Sequence, residues 1–297
     1  MRPEPDPQVL NLINTSTTAV FGDASAPLGF RLGNGGAGHT GLLRQLCEAF
    51  IRRHDVAFRI EWVINHSRHT QIALLGDIVQ VALTYEPDWE DIGIAEGWAE
   101  RVTMAFHDRF MLVGPASNPA NVNSGADIKI AMRDIATYGE RYNGAPNALF
   151  HSRGDGSATH YKELQLWGLC GVDLAHAGSW RRRIPLTPYE ALKRANEEGA
   201  YTVTDRATFL TVMEHGAASD LRVYVEDGKH LVNPCAALVN LKAPVNELAR
   251  DFAHWLALDD AQDIIEDFGK RWKLGLPIFA PKSRVQVEKK YALVSKM

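Results

Sequence analysis

Cysteine is scarce, charge of neither sign dominates, and no long hydrophobic run occurs. Only three cysteines, Cys47, Cys170 and Cys235, stand among 297 residues. They share no CxxC spacing, so a zinc knuckle is not expected. Cys47 and Cys170 lie in apolar stretches and read as small core residues. The formal net charge is -4, which gives a nucleic-acid partner no whole-chain support, and none is expected. Apolar runs fall far short of the ~20 residues that span a bilayer, so membrane insertion is not expected either. The N-terminus, Met1 to Pro7, lacks the basic region and apolar core of a secretory signal. As numbered, the chain is expected in the cytoplasm, or outside the cell if a signal was removed. GxSxG, HExxH and paired-carboxylate patterns are absent, which leans away from an enzyme. The eleven histidines are scattered, and neither a cofactor nor a metal site is expected. His66 and His69, flanking Arg68, read as a solvated basic turn, and Arg181-Arg182-Arg183 as a solvated surface run.

What is present is ordinary globular material, 45% apolar and 23% charged, in a chain long enough for two domains. Residues 1–28 read as a leader whose only apolar cluster is Val9 to Ile13. Phe30 to Leu32 reads as a strand, and Leu42, Leu43, Leu46, Cys47 and Phe50 give the stripe of a helix. Strands are expected at 57–63 and 79–83, with a helix over 71–75 between them. This rhythm predicts a parallel α/β sheet. A further strand at 109–113 leads into a second cycle. It comprises helices at 126–139, 159–169 and 189–198, with strands at 149–152 and 201–204. Strand-like 231–241 and helices at 248–258 and 262–268 close the chain. Trp167 and Trp180 read as packing residues. Two α/β units joined by strands near 109–115 and 231–241 predict a hinge and a ligand cleft. The expected boundaries are 29–113 with 236–297 for the first lobe and 114–235 for the second.

Three segments carry chemistry. Gly33 to Gly38, between a strand and a helix, puts small residues where backbone N–H groups of Gly35, Gly36 and Gly38 can meet an anion. Asn34 lies in the same loop, and His39 and Thr40 lie where caps and hydroxyl donors are useful. It is not a Walker A loop, because no GK[ST] follows. The alternative is a tight turn without a ligand. Ser152 to His160 also joins a strand to a helix. There Arg153 offers a forked cation for an oxyanion, Ser157 and Thr159 offer hydroxyls, and Asp155 caps the helix or holds Arg153. In Tyr201 to Thr208, Asp205 and Arg206 sit at a strand's C-terminal end, where ligand loops gather; an internal Asp205–Arg206 ion pair is the equal alternative. Thr84-Tyr85-Glu86 ends a strand and either lines the cleft or is a plain strand end.

On these residues the chain resembles the tungstate-binding periplasmic family. Ser152-Arg153-Gly154-Asp155 with Ser157, Thr159, His160, Glu163, Leu166 and Trp167 is similar to its SRGDxSGTHxxExxLW signature. Tyr201 to Thr208 resembles YTLTDRGTY, and Phe106 to Pro119 resembles its NDFVIVGPxxDP segment. The likeness runs from about residue 30 to 280. Where bacterial members carry a TTTS loop, this chain has Gly33 to Gly38, which resembles the IGNGGAG loop of related fungal proteins. Asn65-His66-Ser67 replaces the family's GTG turn. The resemblance implies a periplasmic-binding-protein type II fold: α/β, two-lobed, with mixed sheets, a central ligand cleft and two hinge strands. It implies a binding protein that captures a small oxyanion or anionic metabolite, tungstate- or molybdate-like. Asn34, Gly35, Gly36, Gly38, Thr40, Ser67, Arg153, Ser157, Thr159, Asp205 and Arg206 are the expected contacts. A monomer or weak dimer is expected, and the missing signal argues against a transporter partner. One rival is an enzyme on the same lobes with His39, His66, His160 and Asp205 as acid–base groups. The other is an intracellular ligand sensor.

Overall fold

The computed structural model describes residues 13–141, 149–241, 246–270 and 278–282. They form two compact units. Unit 2 is Asp108–Asn233, and unit 1 holds what precedes and follows it.

Unit 1 begins with β1 (Ala19–Phe21), β2 (Leu28–Asn34), the short α1 (Gly36–Thr40), α2 (Leu42–Ile51) and β3 (Arg59–Ile64). It continues through α3 (Ser67–Leu75), β4 (Val81–Thr84), α4 (Pro87–Ala95) and β5 (Ala99–Pro115), which runs on into unit 2. β2 pairs in parallel with both β3 and β4, and β1 pairs antiparallel with β3. Residues 13–28, expected as leader, therefore belong to the folded unit, with Ile13, Phe21 and Ala26 buried. A three-residue strand carries almost no alternation in sequence; its hydrogen bonds come from β3, a long-range partner. The rest of that leader, including most of the Val9–Ile13 cluster, lies outside the described residues. The stripe on α2 is the buried face that was expected: Leu42, Leu43, Leu46, Cys47 and Phe50.

Unit 2 contains α5 (Ile128–Arg141), β6 (Phe150–Ser152), α6 (Ala158–Leu169), β7 (Arg181–Arg183), α7 (Pro188–Glu198), β8 (Tyr201–Asp205), α8 (Arg206–Glu214) and β9 (Leu221–Val225). β6 lies parallel between β7 and β8, while β5 runs antiparallel to β8 and β9. Its core gathers Phe110, Met132, Phe150, Trp167, Trp180 and Tyr201. Trp167 and Trp180 meet edge to face at 5.6 Å. Gly114 in β5 makes room for this core, since a Cβ there would lie 2.2 Å from the Tyr201 ring. α7 starts on a capping box of Thr187 and Glu190, with Pro188 in its first turn.

The chain returns to unit 1 through β10 (Val232–Asn240), α9 (Glu247–Trp255), α10 (Asp259–Lys270) and β11 (Ala280–Pro281). β10 is antiparallel to β4, so both units carry mixed sheets. α9 packs Phe252 against Phe30 and Phe50, with ring centroids 5.3 and 5.1 Å apart. All three cysteines are buried and unbridged.

Candidate functional site

Loops leaving the C-terminal ends of neighbouring parallel strands collect at one sheet edge, the usual ligand edge of an open α/β sheet. In unit 2 that edge is set by Ser152, Arg183 and Asp205, which end β6, β7 and β8; Ser152 stands opposite Arg183 in register. In unit 1 it is set by Asn34, Ile64 and Thr84, which end β2, β3 and β4.

The unit 2 loop from Arg153 to Ser157 is a built structure. Gly154 and Gly156 take φ of +57° and +73°, a region costly for a side-chain-bearing residue. Their turns let Asp155 fold over the start of α6, where its Oδ1 accepts from Ser157 N (3.0 Å) and Ser157 Oγ (2.6 Å). Ser157 in turn is the N-cap, its Oγ accepting from His160 N. The Ser157 hydroxyl proton is thus spent inside the loop, so Ser157 shapes the site and is not the donor expected from sequence. His160 Nδ1 accepts from Gly156 N at 3.1 Å, and burial holds this imidazole below its ordinary pKa.

Arg153 is 5% exposed, pairs through Nη2 with Asp155, and leaves its buried Nε without a partner. Thr159 is 7% exposed, and its hydroxyl has no partner among the described residues. Both lie at the N-terminus of the 12-residue α6, whose first-turn amides of Ala158 and Thr159 have no intrahelical acceptor. A forked cation, a hydroxyl and two helix-start amides are donors of the kind that suit an oxyanion.

Behind the loop, Glu163 is 1% exposed and its Oε1 accepts from Arg181 Nε (3.0 Å), Arg181 Nη2 (2.7 Å) and Trp167 Nε1 (3.2 Å). Arg181 Nη2 also reaches Ser152 Oγ at 2.8 Å. The basic run 181–183 is strand β7 beside the loop: Arg181 packs inward, which corrects its reading as solvated, while Arg182 and Arg183 are exposed as expected. The signal lay in Trp180 just before it, a core residue that obliges the next side chains to alternate between faces.

Asp205 and Arg206 do not pair with each other. Asp205 caps α8, accepting from Thr208 N (2.8 Å) and Thr208 Oγ1 (2.7 Å), while Arg206 reaches Glu226 at 3.3 Å. Asp205 is occupied by its cap, and Arg206 by Glu226 while its buried Nε makes no hydrogen bond among the described residues. Nearby Asp108, 4% exposed, is held well above the ordinary carboxyl range, first by burial and then by the Asp205 charge.

In unit 1 the glycine segment forms α1, closed by Gly41 at φ +91° before α2 begins. Asn34 is fully buried; its Nδ2 donates to Leu83 O at 2.9 Å and its Oδ1 accepts Gly38 N at 3.0 Å. The Gly38 amide is thereby used, and a Cβ on Gly38 would meet the Trp62 ring at 2.2 Å. Thr40 Oγ1 donates to Ala37 O (2.8 Å) and accepts from Leu42 N (3.3 Å). Asn34, Gly38 and Thr40 thus hold the loop together. Gly36 differs: nothing lies within 4 Å of where its Cβ would be, and as the first residue of α1 its amide has no intrahelical acceptor. Gly35 precedes it as the N-cap. Ser67, 7% exposed, accepts from Tyr85 N at 3.2 Å and has no acceptor for its own proton among the described residues. At the same edge Glu86 pairs with Arg68 at 2.7 Å, and burial lifts its carboxyl. Thr84 donates to the buried Glu90 at 2.7 Å.

The acid–base candidates are divided between the two units. His39 packs edge-on against Trp62, 5.6 Å away, and His66 lies by His69, both in unit 1. His160 and Asp205 belong to unit 2 and serve as the loop and helix caps just described.

A family model described as the PBP superfamily domain matches residues 23–260. The tungstate-binding protein TupA of Peptoclostridium acidaminophilum is 30% identical over 249 residues, covering 82% of this chain and 81% of that protein. A solved periplasmic protein to which metal binding is ascribed shares 36% identity at a TM-score of 0.79, covering 89% of this chain and 98% of its own. The tungstate-binding TupA from Desulfovibrio alaskensis G20 superposes at a TM-score of 0.70 with 27% identity, over 86% and 99% of the two chains. This chain is therefore a member of the PBP superfamily, a type II periplasmic binding protein of the TupA-like family.

Proposed function

We propose that the protein is a solute-binding protein that captures a small oxyanion of the tungstate or molybdate type without turning it over. One observation carries the reading. A 5%-exposed Arg153 keeps an unpartnered Nε in the loop that leads into α6, whose first turn carries the partner-free Thr159 hydroxyl. Buried donors are normally satisfied, and an oxyanion supplies the missing acceptors. Unit 1 has neutral donors at its own sheet edge, Gly35, Gly36 and Ser67, with Asn34, Gly38 and Thr40 fixing their loop. Ser157, Asp205 and Arg206 shape unit 2's edge. The functions of the relatives, tungstate binding above all, support capture over catalysis, and the periplasmic setting of one of them supports a place outside the cytoplasm.

Isothermal titration with tungstate, molybdate, sulfate and phosphate tests the assignment. Arg153→Gln removes charge-assisted bonds of roughly 1.5–3 kcal/mol, so the best anion should bind at least tenfold more weakly. Thr159→Val should cost about fivefold to tenfold. Wild-type affinity in Arg153→Gln would refute the site.

A further inference from the structure

Arg183 stands at the ligand edge of unit 2 beside the Arg153 loop. It ends β7 directly opposite Ser152, the residue before Arg153, and the strands stay joined through Ile184 N to Ser152 O at 2.7 Å. Its Nη2 donates to Gly154 O at 2.8 Å. A Cβ on Gly154 would lie 2.7 Å from its Nε, so the guanidinium occupies the space that glycine leaves vacant between Arg153 and Asp155.

Of the arginines around the loop, all but one have a carboxylate partner. Arg153 pairs with Asp155, Arg181 with Glu163, Arg206 with Glu226, and Arg182 with Glu198, which it shares with Arg194. The Lys162 ammonium lies over the Phe110 ring at 5.5 Å. His160 is pushed toward its neutral form by burial, with Arg183 and Arg181 acting the same way against Glu163 and Asp155. Arg183 meets only a carbonyl and has no carboxylate partner among the described residues.

We propose that Arg183 is the specificity-determining cation of the anion site: it supplies the net positive charge that the Arg153–Asp155 pair lacks, and so sets the preference for doubly over singly charged oxyanions. This rests on the oxyanion reading above and adds a division of labour to it. Arg153 contributes directed hydrogen bonds, and Arg183 contributes charge. Coulomb energy scales with the ligand's charge. Removing one unit charge therefore changes the logarithm of Kd twice as much for a dianion as for a monoanion of the same shape.

Tungstate and perrhenate are tetrahedral and differ by one charge, which makes them the probes. Titrations of wild type, Arg183→Gln, Arg183→Lys and Arg182→Gln would be run at low ionic strength and again near 0.15 M. Arg183→Gln keeps an N–H for Gly154 O and loses the charge. It should weaken tungstate about tenfold and perrhenate about threefold at low salt, with both losses shrinking as salt screens the charge. Arg183→Lys should stay within about twofold of wild type for both. Arg182→Gln, at an exposed guanidinium that reaches Glu198 and not the loop, should leave the tungstate-to-perrhenate ratio unchanged and controls for damage to β7. Equal losses for the two anions, no loss, or an equal shift in Arg182→Gln would overturn the proposal while leaving the binding function standing. Failure of wild type to bind either anion would overturn the binding function itself, and this proposal with it.

Discussion

The Arg153 loop is anchored from behind by a buried ion pair, and Glu163→Ala shows what that anchor is worth. The Glu163 and Arg181 side chains are 1% and 11% exposed, so water screens them little. Removing Glu163 strands a guanidinium whose remaining side-chain partner among the described residues is Ser152 Oγ, and it leaves Trp167 Nε1 without its acceptor. Breaking a buried pair from one side costs about 3–5 kcal/mol. An orphaned indole donor costs about 1–3 kcal/mol alone, but the two share Oε1 and do not add in full. A total near 4 kcal/mol is expected from these terms. The double variant Glu163→Leu/Arg181→Met removes both charges and keeps the volume. It should fall within about 2 kcal/mol of wild type, far above the sum of the single losses. Urea unfolding of wild type, Glu163→Leu, Arg181→Met and the double variant at neutral pH, with Glu163→Ala beside them and each unit's transition fitted separately, supplies the cycle. A Glu163→Ala loss below about 1 kcal/mol, or a double variant as unstable as the two singles combined, would refute the claim that this pair anchors the strand end to the helix.

Two further outcomes follow from the same geometry. Gly38→Ala drives a methyl to 2.2 Å from the Trp62 ring and should lower stability by about 1–3 kcal/mol, whereas Gly36→Ala, with open space at its Cβ, should be close to neutral; calorimetric melting that ranks them the other way would reject the packing role of Gly38. Asp108 has its folded pKa raised, so it binds a proton more tightly when folded: its contribution is complete below the unfolded value near 3.8 and is lost as pH rises through the folded value. Asp108→Asn should therefore flatten the decline of unfolding free energy with rising pH above about 4, and an unchanged slope in denaturation series would count against a buried, proton-holding carboxyl.

The sequence made long periodic elements legible and short paired ones invisible. The apolar stripe on α2 and the turn chemistry before α6 are local signals. β1, β7 and β9 span three, three and five residues, and their stability comes from distant partners in the sheet. α4 and α8 carry weak stripes, and α8 hides behind Asp205, which reads equally as a ligand and as a cap. In the candidate site, residue type showed which loops matter, because glycines, hydroxyls and an arginine after a strand point to an anion whatever their detailed roles. It did not show which donors remain available. Ser157 and Thr159 are both hydroxyls two residues apart, yet one spends its proton on Asp155 and the other does not. Gly36 and Gly38 are equally small, yet one faces open space and the other lies against Trp62. Arg153 and Arg183 carry the same charge, but only the first is cancelled by a carboxylate. Each distinction depends on where hydrogen bonds already go. Selectivity at this edge should therefore be most sensitive to residues whose partners are incomplete, with conspicuous motif residues such as Ser157 and Asp205 affecting it only through the shape of the loop.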